Sequence, residues 1–127
     1  MPTITVDGRA VDVEHGSKLV LAIEALGIDI GHRCGGKARC TTCRVAFEAG
    51  EPDVFTRAEH RKLQEAGLLG EVRLSCQVLV EHDMRVRVLK TRRSEGWADT
   101  GPPVAVELTP EPERHPRDRL EADAGLA

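Results

Sequence analysis

Residues 31–43 read Gly-His-Arg-Cys-Gly-Gly-Lys-Ala-Arg-Cys-Thr-Thr-Cys, and they contain three of the four cysteines of this 127-residue chain. Cys34, Cys40 and Cys43 have the spacing C-x5-C-x2-C, and Cys76 lies 33 positions further on. Three thiolates in one loop and a fourth from a distant segment form a four-sulfur cage, which suits soft metals. The fold must therefore bring Cys76 back to this loop.

The glycines of the loop favour an iron-sulfur cluster as the occupant of the cage. Gly35 and Gly36 let the backbone approach closely and turn its N–H groups inward, where they stabilise anionic sulfur. A 2Fe-2S cluster takes four cysteine thiolates and is formally anionic, so it needs donors of this kind.

Two other uses of the cysteines stay open at this point. Cys40 and Cys43 have the spacing of half a zinc site, and zinc accepts four thiolates, although zinc ribbons normally supply a second such pair. The same pair is also compatible with a thiol redox motif, but nothing places it after a strand at the start of a helix in a βαβ unit.

The segments on both sides of the loop predict an α+β domain. Residues 3–13 alternate between apolar and polar positions around Asp7-Gly8, which predicts a hairpin that pairs Val6 with Arg9 and Ile4 with Val11. Further strands are predicted at residues 44–48, 72–80 and 84–89.

Capping signals predict two helices. Ser17 is the expected N-cap of a helix over residues 18–26, which Gly27 stops in the left-handed conformation. Thr56 and Glu59 form a capping box, which starts a second helix that runs through Ala66. We interpret the mixed charges of this second helix as a solvated face. His15, His60, His82 and His115 are scattered and are expected at the surface. His32 lies near the cysteine loop and is also expected at the surface, with a hydrogen bond near the cluster as the alternative.

Composition argues against nucleic acid and membrane partners. The aromatic residues are Phe47, Phe55 and Trp97 alone, the net charge is -3, and no run of five or more basic residues occurs, so base-stacking platforms and a phosphate footprint are missing. The N-terminus lacks the layout of a secretory signal, and the longest apolar helical stretch is broken at Glu24. These features predict a cytoplasmic protein, a compartment in which clustered cysteines bind metal more often than they form disulfides.

The composition changes near residue 91 and predicts two parts. Residues 1–91 contain 13 basic and 13 acidic side chains, whereas residues 92–127 contain 5 and 8, together with five of the seven prolines. We therefore expect a domain over residues 1–91 and an acidic, proline-rich C-terminal extension over residues 92–127. Within the extension, the alternation over residues 104–108 suits a further strand or the edge of a partner, and Trp97 suits an anchor.

The segment from Cys34 to Val45, together with Arg73-Leu-Ser-Cys-Gln77, resembles the 2Fe-2S ferredoxins of β-grasp fold over about residues 3–90. The resemblance implies a mixed sheet with a helix packed across it and a long cluster-binding loop. It also implies a 2Fe-2S cofactor held by Cys34 and Cys40 at the outer iron and by Cys43 and Cys76 at the inner iron. The implied function is a one-electron carrier between a ferredoxin reductase and an acceptor enzyme, with no catalysis of its own.

The sequence departs from the branch that it resembles most. The x5 gap is nearer the adrenodoxin-like than the plant branch, but the distance to Cys76 is shorter than that branch has, and the second helix carries mixed charge in place of a strongly acidic face. Partners of that branch therefore do not transfer to this chain. An alternative function is a binding or sensor module that a cluster or zinc stabilises and that acts through its C-terminal extension.

Overall fold

The computed structural model of the chain describes residues 1–28, 30–31, 43–89, 104, 108, 113–117 and 119–120. These residues form nine strands: β1 Thr3–Val6, β2 Arg9–Asp12, β3 Ser17–Lys18, β4 Arg44–Ala49, β5 Val54–Thr56, β6 Arg73–Leu74, β7 Leu79–Val80, β8 Met84–Val88 and β9 Arg114–Pro116. They also form the helices α1 Leu19–Ala25 and α2 Arg57–Glu65 and a 3₁₀ helix, Ser75–Gln77.

Five of the strands form one mixed sheet in the order β2-β1-β8-β4-β6. β1 and β8 run parallel, and the other neighbours in this sheet are antiparallel. Two short antiparallel pairs, β3 with β7 and β5 with β9, lie beside it. The mixed sheet with a helix against it confirms the predicted α+β, β-grasp architecture.

The N-terminal hairpin forms in the predicted register. Val6 pairs with Arg9 and Ile4 pairs with Val11. Asp7 has φ 49° and Gly8 has φ 86°, and two successive residues with positive φ match the tight turn that Asp-Gly favours between strands.

The core lies between the five-stranded sheet and α1. Alternate residues of β1, β4 and β8 point to one face of the sheet, where the buried side chains of α1 meet them. Burial of each such aliphatic side chain is worth about 1.5–3 kcal/mol. The fully buried members of this layer include Ile4, Val6, Leu19, Val20, Ile23, Val45 and Val86.

The predicted N-cap of α1 is wrong. Lys18 is the residue that precedes the helix, and Ser17 donates from its hydroxyl to the Glu14 carbonyl at 2.7 Å, so it caps nothing. The reason is that Ser17 already belongs to a strand, where it pairs with Val80. The predicted stop is confirmed, since Gly27 has φ 83° and donates to the Glu24 carbonyl.

The prediction of one continuous strand over residues 72–80 is also wrong. The segment is divided into β6, the 3₁₀ helix and β7, because the 3₁₀ helix Ser75–Gln77 leads the chain from the five-stranded sheet to the two-stranded sheet of β3 and β7. The other strands predicted around it are confirmed as β4 and β8.

Part of the C-terminal extension lies against the domain. β9 pairs with β5, and Leu120 is buried with the core residues. Arg114 donates to both carboxylate oxygens of Glu81, at 2.6 and 3.2 Å. Hydrogen bonding from Arg114 lowers the pKa of Glu81, so this contact adds stability above the usual pKa of a glutamate and loses it as the pH falls through the lowered value.

Two sequence-based expectations about the extension lie outside the described residues, namely the role of Trp97 and a strand over residues 104–108, of which only Val104 and Leu108 are described. The boundary at residue 91 stays a prediction. Within the described part of the chain, no helix is long and apolar enough to cross a membrane.

Gly50 follows β4 at a close approach of two backbones. It has φ 76°, and a Cβ at this position would collide with the Asp83 carbonyl oxygen. Gly50→Ala is therefore expected to lower the free energy of unfolding by about 2–5 kcal/mol, from left-handed strain plus steric overlap. Chemical denaturation followed by circular dichroism measures the loss.

Gly67→Ala is the matched control for this substitution. Gly67 has φ 70°, but a Cβ there would meet nothing within 4 Å. It should lose only about 1–2 kcal/mol, the cost of the left-handed conformation alone. Equal losses in the two variants would show that the Asp83 carbonyl does not limit residue 50.

Candidate metal centre

Cys43 and Cys76 are buried at the junction between β4 and the 3₁₀ helix. Cys43 is 1% exposed and directly precedes β4, and Cys76 is 0% exposed at the centre of the 3₁₀ helix. Among the described residues, both are thiols and neither belongs to a disulfide. Cys34, Cys40 and the neighbouring His32 lie outside the described residues.

Ser75 joins the two segments that carry these cysteines. Its backbone N–H and its hydroxyl both donate to the Cys43 carbonyl, at 3.1 and 2.7 Å. β4 and β6 pair next to this contact, with Arg44 opposite Leu74. The fold therefore brings the lone fourth cysteine back to the end of the cysteine loop, as the spacing required.

The Cys76 sulfur lies beside the polar side chain of Gln77. The Gln77 Nε2 is 3.7 Å from Cys76 Sγ, within the range of a hydrogen bond to sulfur. Gln77 Oε1 accepts a hydrogen bond from the Thr56 hydroxyl at 2.6 Å. Gln77 and Thr56 are both buried, so these contacts lie in a medium of low dielectric constant, where they are stronger than in water.

Glu59 and Arg73 form a buried ion pair behind the 3₁₀ helix. Arg73 is 2% exposed and Glu59 is 0% exposed. Arg73 Nε and Nη2 donate to the two carboxylate oxygens at 2.8 and 3.0 Å, and the backbone N–H of Leu74 donates to the same carboxylate at 2.9 Å. The carboxylate thereby anchors the strand that leads into Cys76.

Arg73 also ties the segment before α2 to β6. Its Nη1 donates to the Pro52 carbonyl at 2.7 Å, and its Nη2 donates to the Val54 carbonyl at 2.8 Å. The guanidinium carbon lies 3.8 Å from the centre of the Phe55 ring, a cation–π distance. One side chain thus holds β5, α2 and β6 together.

The sequence-based interpretation of Glu59 and His60 as surface residues is wrong. Only half of the predicted capping box forms: the Glu59 N–H donates to the Thr56 hydroxyl at 3.1 Å, but the Glu59 carboxylate accepts from Arg73. His60 is 3% exposed and meets the Phe55 ring edge-on at 5.9 Å. Helical spacing held a signal for Glu59, because it lies four residues before the buried Leu63 and so on the same face.

The described residues fit a sulfur-ligated metal group. Two buried thiols lie on segments that Ser75 joins, one of them has an N–H donor within hydrogen-bond distance of its sulfur, and both belong to the buried core cluster. Thiolates are the ligands that iron-sulfur clusters require, and donors to the sulfur compensate their negative charge.

A comparison with protein families identifies this region. Residues 4–81 match the family described as "2Fe-2S iron-sulfur cluster binding domain". The match contains all four cysteines, and it supports a 2Fe-2S cluster in preference to zinc or a thiol redox pair.

Curated proteins with similar sequences include a subunit of the Na(+)-translocating NADH-quinone reductase from Pseudoalteromonas atlantica. It is 34% identical over 90 residues, which are 68% of this chain and 22% of that protein. This chain therefore spans about a fifth of the length of the curated relative that it matches.

Solved structures with a similar fold include ferredoxins. The ISC-like 2Fe-2S ferredoxin FdxB of Pseudomonas putida superimposes with a TM-score of 0.60 at 27% identity, covering 71% of this chain and 94% of that one. A chain of the covalent putidaredoxin reductase–putidaredoxin complex gives a TM-score of 0.50 at 30% identity, covering 68% and 96%. Both likenesses agree with the β-grasp ferredoxin fold expected from the sequence.

The buried ion pair generates a prediction for stability. Glu59→Gln removes the buried counter-charge of Arg73 and leaves only the half-exposed Glu51 carboxylate, 3.7 Å from Nη1, so we expect a loss of about 3 kcal/mol in the free energy of unfolding. Iron content after purification should fall in parallel, because the contact that positions Leu74 and the segment of Cys76 is weakened.

Glu65→Gln makes the same chemical change on the same helix at an exposed position. Its effect should stay within about 0.5 kcal/mol. If Glu59→Gln were as mild as this control, the ion pair would not be what holds β6 in place.

Proposed function

Since this chain belongs to the family of 2Fe-2S iron-sulfur cluster binding domains, we propose that it carries single electrons between a reductase and an acceptor enzyme. The observation that carries this proposal is the family match over residues 4–81, which covers the buried thiols of Cys43 and Cys76. The cluster, when bound, accepts and releases one electron. The chain itself is proposed to catalyse nothing alone, because its role is to hold, shield and present that group.

The proposed ligands are Cys34, Cys40, Cys43 and Cys76, which are all the cysteines of the chain. The burial of Cys43 and Cys76 suits the inner iron, and the two cysteines of the loop would then hold the outer iron. The apolar layer around the inner pair keeps water from the sulfurs, which is one of the levers by which a protein sets a reduction potential.

We propose an NADH-oxidising reductase as the class of electron donor. The relative from Pseudoalteromonas atlantica is a subunit of an NADH-quinone reductase, and one structural neighbour belongs to a complex of putidaredoxin with its reductase. Cysteines at cluster spacing suit a reducing compartment, so the cytoplasm is the proposed location.

The alternative is a binding or sensor module that acts through the C-terminal extension. The packing of β9 on β5 supports a structural link between the extension and the domain, but it does not favour one function over the other. Reversibility of reduction distinguishes them, because a carrier must cycle between two oxidation states in the presence of its partner.

The test is an optical and EPR spectrum of anaerobically purified full-length protein, recorded before and after dithionite. We expect an EPR-silent oxidised form, a one-electron signal after reduction, and recovery of the first spectrum on reoxidation. Zinc without iron, or a cluster that cannot be reduced and reoxidised, would contradict the proposed function.

The proposed ligand set also generates a prediction. Replacement of any one of the four cysteines by serine should abolish the cluster or change its EPR signal, because the chain has no fifth cysteine to substitute. Iron and sulfide analysis and EPR of each variant measure this. A variant with wild-type iron, sulfide and lineshape would remove that residue from the ligand set.

The cations of the cysteine loop generate a further prediction. Lys37 and Arg39 lie between Cys34 and Cys40 in the sequence, so they are proposed to lie near the outer iron, where a positive charge favours the reduced state. Lys37→Glu or Arg39→Glu should lower the midpoint potential by roughly tens of millivolts after screening by solvent and salt. Electron transfer with an acidic partner should also slow, most clearly at low ionic strength.

Arg85→Glu is the matched control, since it reverses an exposed charge opposite Ala49, at the end of β4 remote from Cys43. Six residues of extended strand separate Cys43 from Ala49 by roughly 20 Å, about twice the screening length at 0.1 M salt. Equal shifts in the control and in the loop variants would show that net charge, and not proximity to the cluster, sets the effect.

A further inference from the structure

The side chain of Gln77 is held by contacts at both ends of its carboxamide. Oε1 accepts from the Thr56 hydroxyl at 2.6 Å, and Nε2 lies 3.7 Å from Cys76 Sγ. Gln77 is 1% exposed, and Thr56 and Cys76 are 0% exposed. Neither the family match nor the charge pattern of the chain assigns a role to the contact between Gln77 and the Cys76 sulfur.

The bonding of Thr56 decides which way the Gln77 amide points. The Thr56 hydroxyl oxygen accepts the N–H of Glu59 at 3.1 Å, and its single proton is directed at Gln77 Oε1. The reverse orientation of the amide would place a carbonyl oxygen against the sulfur of Cys76. That sulfur is negatively charged as a metal ligand, so the reverse orientation is repulsive and the N–H end faces Cys76.

Thr56 is itself fixed from two sides. It is the N-cap of α2, and its backbone pairs with Arg114 of β9. The hydroxyl therefore has little freedom to rotate toward another acceptor, and the C-terminal strand takes part in holding it. The side chain of Gln77 is therefore restricted, unlike that of a surface glutamine, which samples many rotamers.

We propose that Thr56 and Gln77 are positioning residues, and that they form a relay which aims an N–H donor at the Cys76 thiolate and thereby raises the reduction potential. The proposal rests on the function proposed above. A donor to a ligating sulfur stabilises the more negative, reduced state more than the oxidised state, because reduction adds negative charge that the sulfurs share. The low dielectric of the site preserves this difference.

The experiment compares four full-length variants by redox titration and resonance Raman spectroscopy. Gln77→Met removes the donor at similar volume, and Thr56→Val removes the hydroxyl that orients it. Both should lower the equilibrium constant for reduction by up to about tenfold, which corresponds to about 59 mV for one electron. The iron–sulfur stretching frequencies should rise, since the sulfur gives more electron density to iron when it lacks a donor.

Thr56→Ser is the rescue variant, because it keeps the hydroxyl and should keep the wild-type potential and frequencies. Leu63→Ala is the control for stability: it truncates a buried residue of α2 and keeps every hydrogen-bonding group of the relay, so it should lower the melting temperature and leave the potential unchanged. A potential that follows the melting temperature across all four variants would overturn the proposal.

Failure of the relay and failure of the proposed function are distinguishable. If wild-type protein gives no reversible one-electron signal, the function fails. If the wild type cycles normally and Gln77→Met and Thr56→Val have its potential and its stretching frequencies, the function stands and the relay is wrong.

Discussion

The buried guanidinium of Arg73 is the group on which the geometry of the site depends. It bonds the Glu59 carboxylate through two nitrogens, reaches two backbone carbonyls before α2 and stacks on Phe55, while its own backbone lies in β6, three residues before Cys76. Removal of two charges from water costs several kcal/mol per ion, and their attraction only offsets that cost when the remaining donors and acceptors are satisfied. Alternative registers of β6 would leave these groups unpaired in the core. The ion pair therefore selects one register among those that an apolar core alone would tolerate.

The parts of the fold that the sequence predicted are those decided by neighbouring residues. The Asp7-Gly8 turn, the stop at Gly27 and the Thr56 cap each depend on backbone conformations or bonds within a few positions. The parts that it missed depend on distant partners. Glu59 looked like half of a local capping box, and only the fold shows that its carboxylate is bonded to a residue 14 positions away.

The candidate site likewise contains residues that the sequence predicted and residues that it did not predict. Cysteine spacing marked the four proposed ligands, and the structure places Cys43 and Cys76 together, while the other two lie outside the described residues. Gln77 and Thr56 were not singled out as partners because 21 positions separate them and a glutamine beside a cysteine has no periodic signal. Contacts of a polar side chain with a buried sulfur depend on packing, which a pattern of residue types does not encode.

In the C-terminal extension, the composition and the packing indicate different structures. Its prolines and acidic excess are typical of a solvated tail, yet β9 pairs with β5 in the register Val54 with Pro116 and Thr56 with Arg114. An uncovered strand edge invites pairing with another chain, and proline is tolerated at an edge because it has no N–H to donate. Pro116 thus suits both tasks of β9: the strand covers the edge of β5, and its own outer edge has one donor fewer to offer to a further strand. Proline is typical of a tail in the sequence, but in the fold it is compatible with β9. This strand completes the sheet with β5 and pairs with Thr56 beside the site.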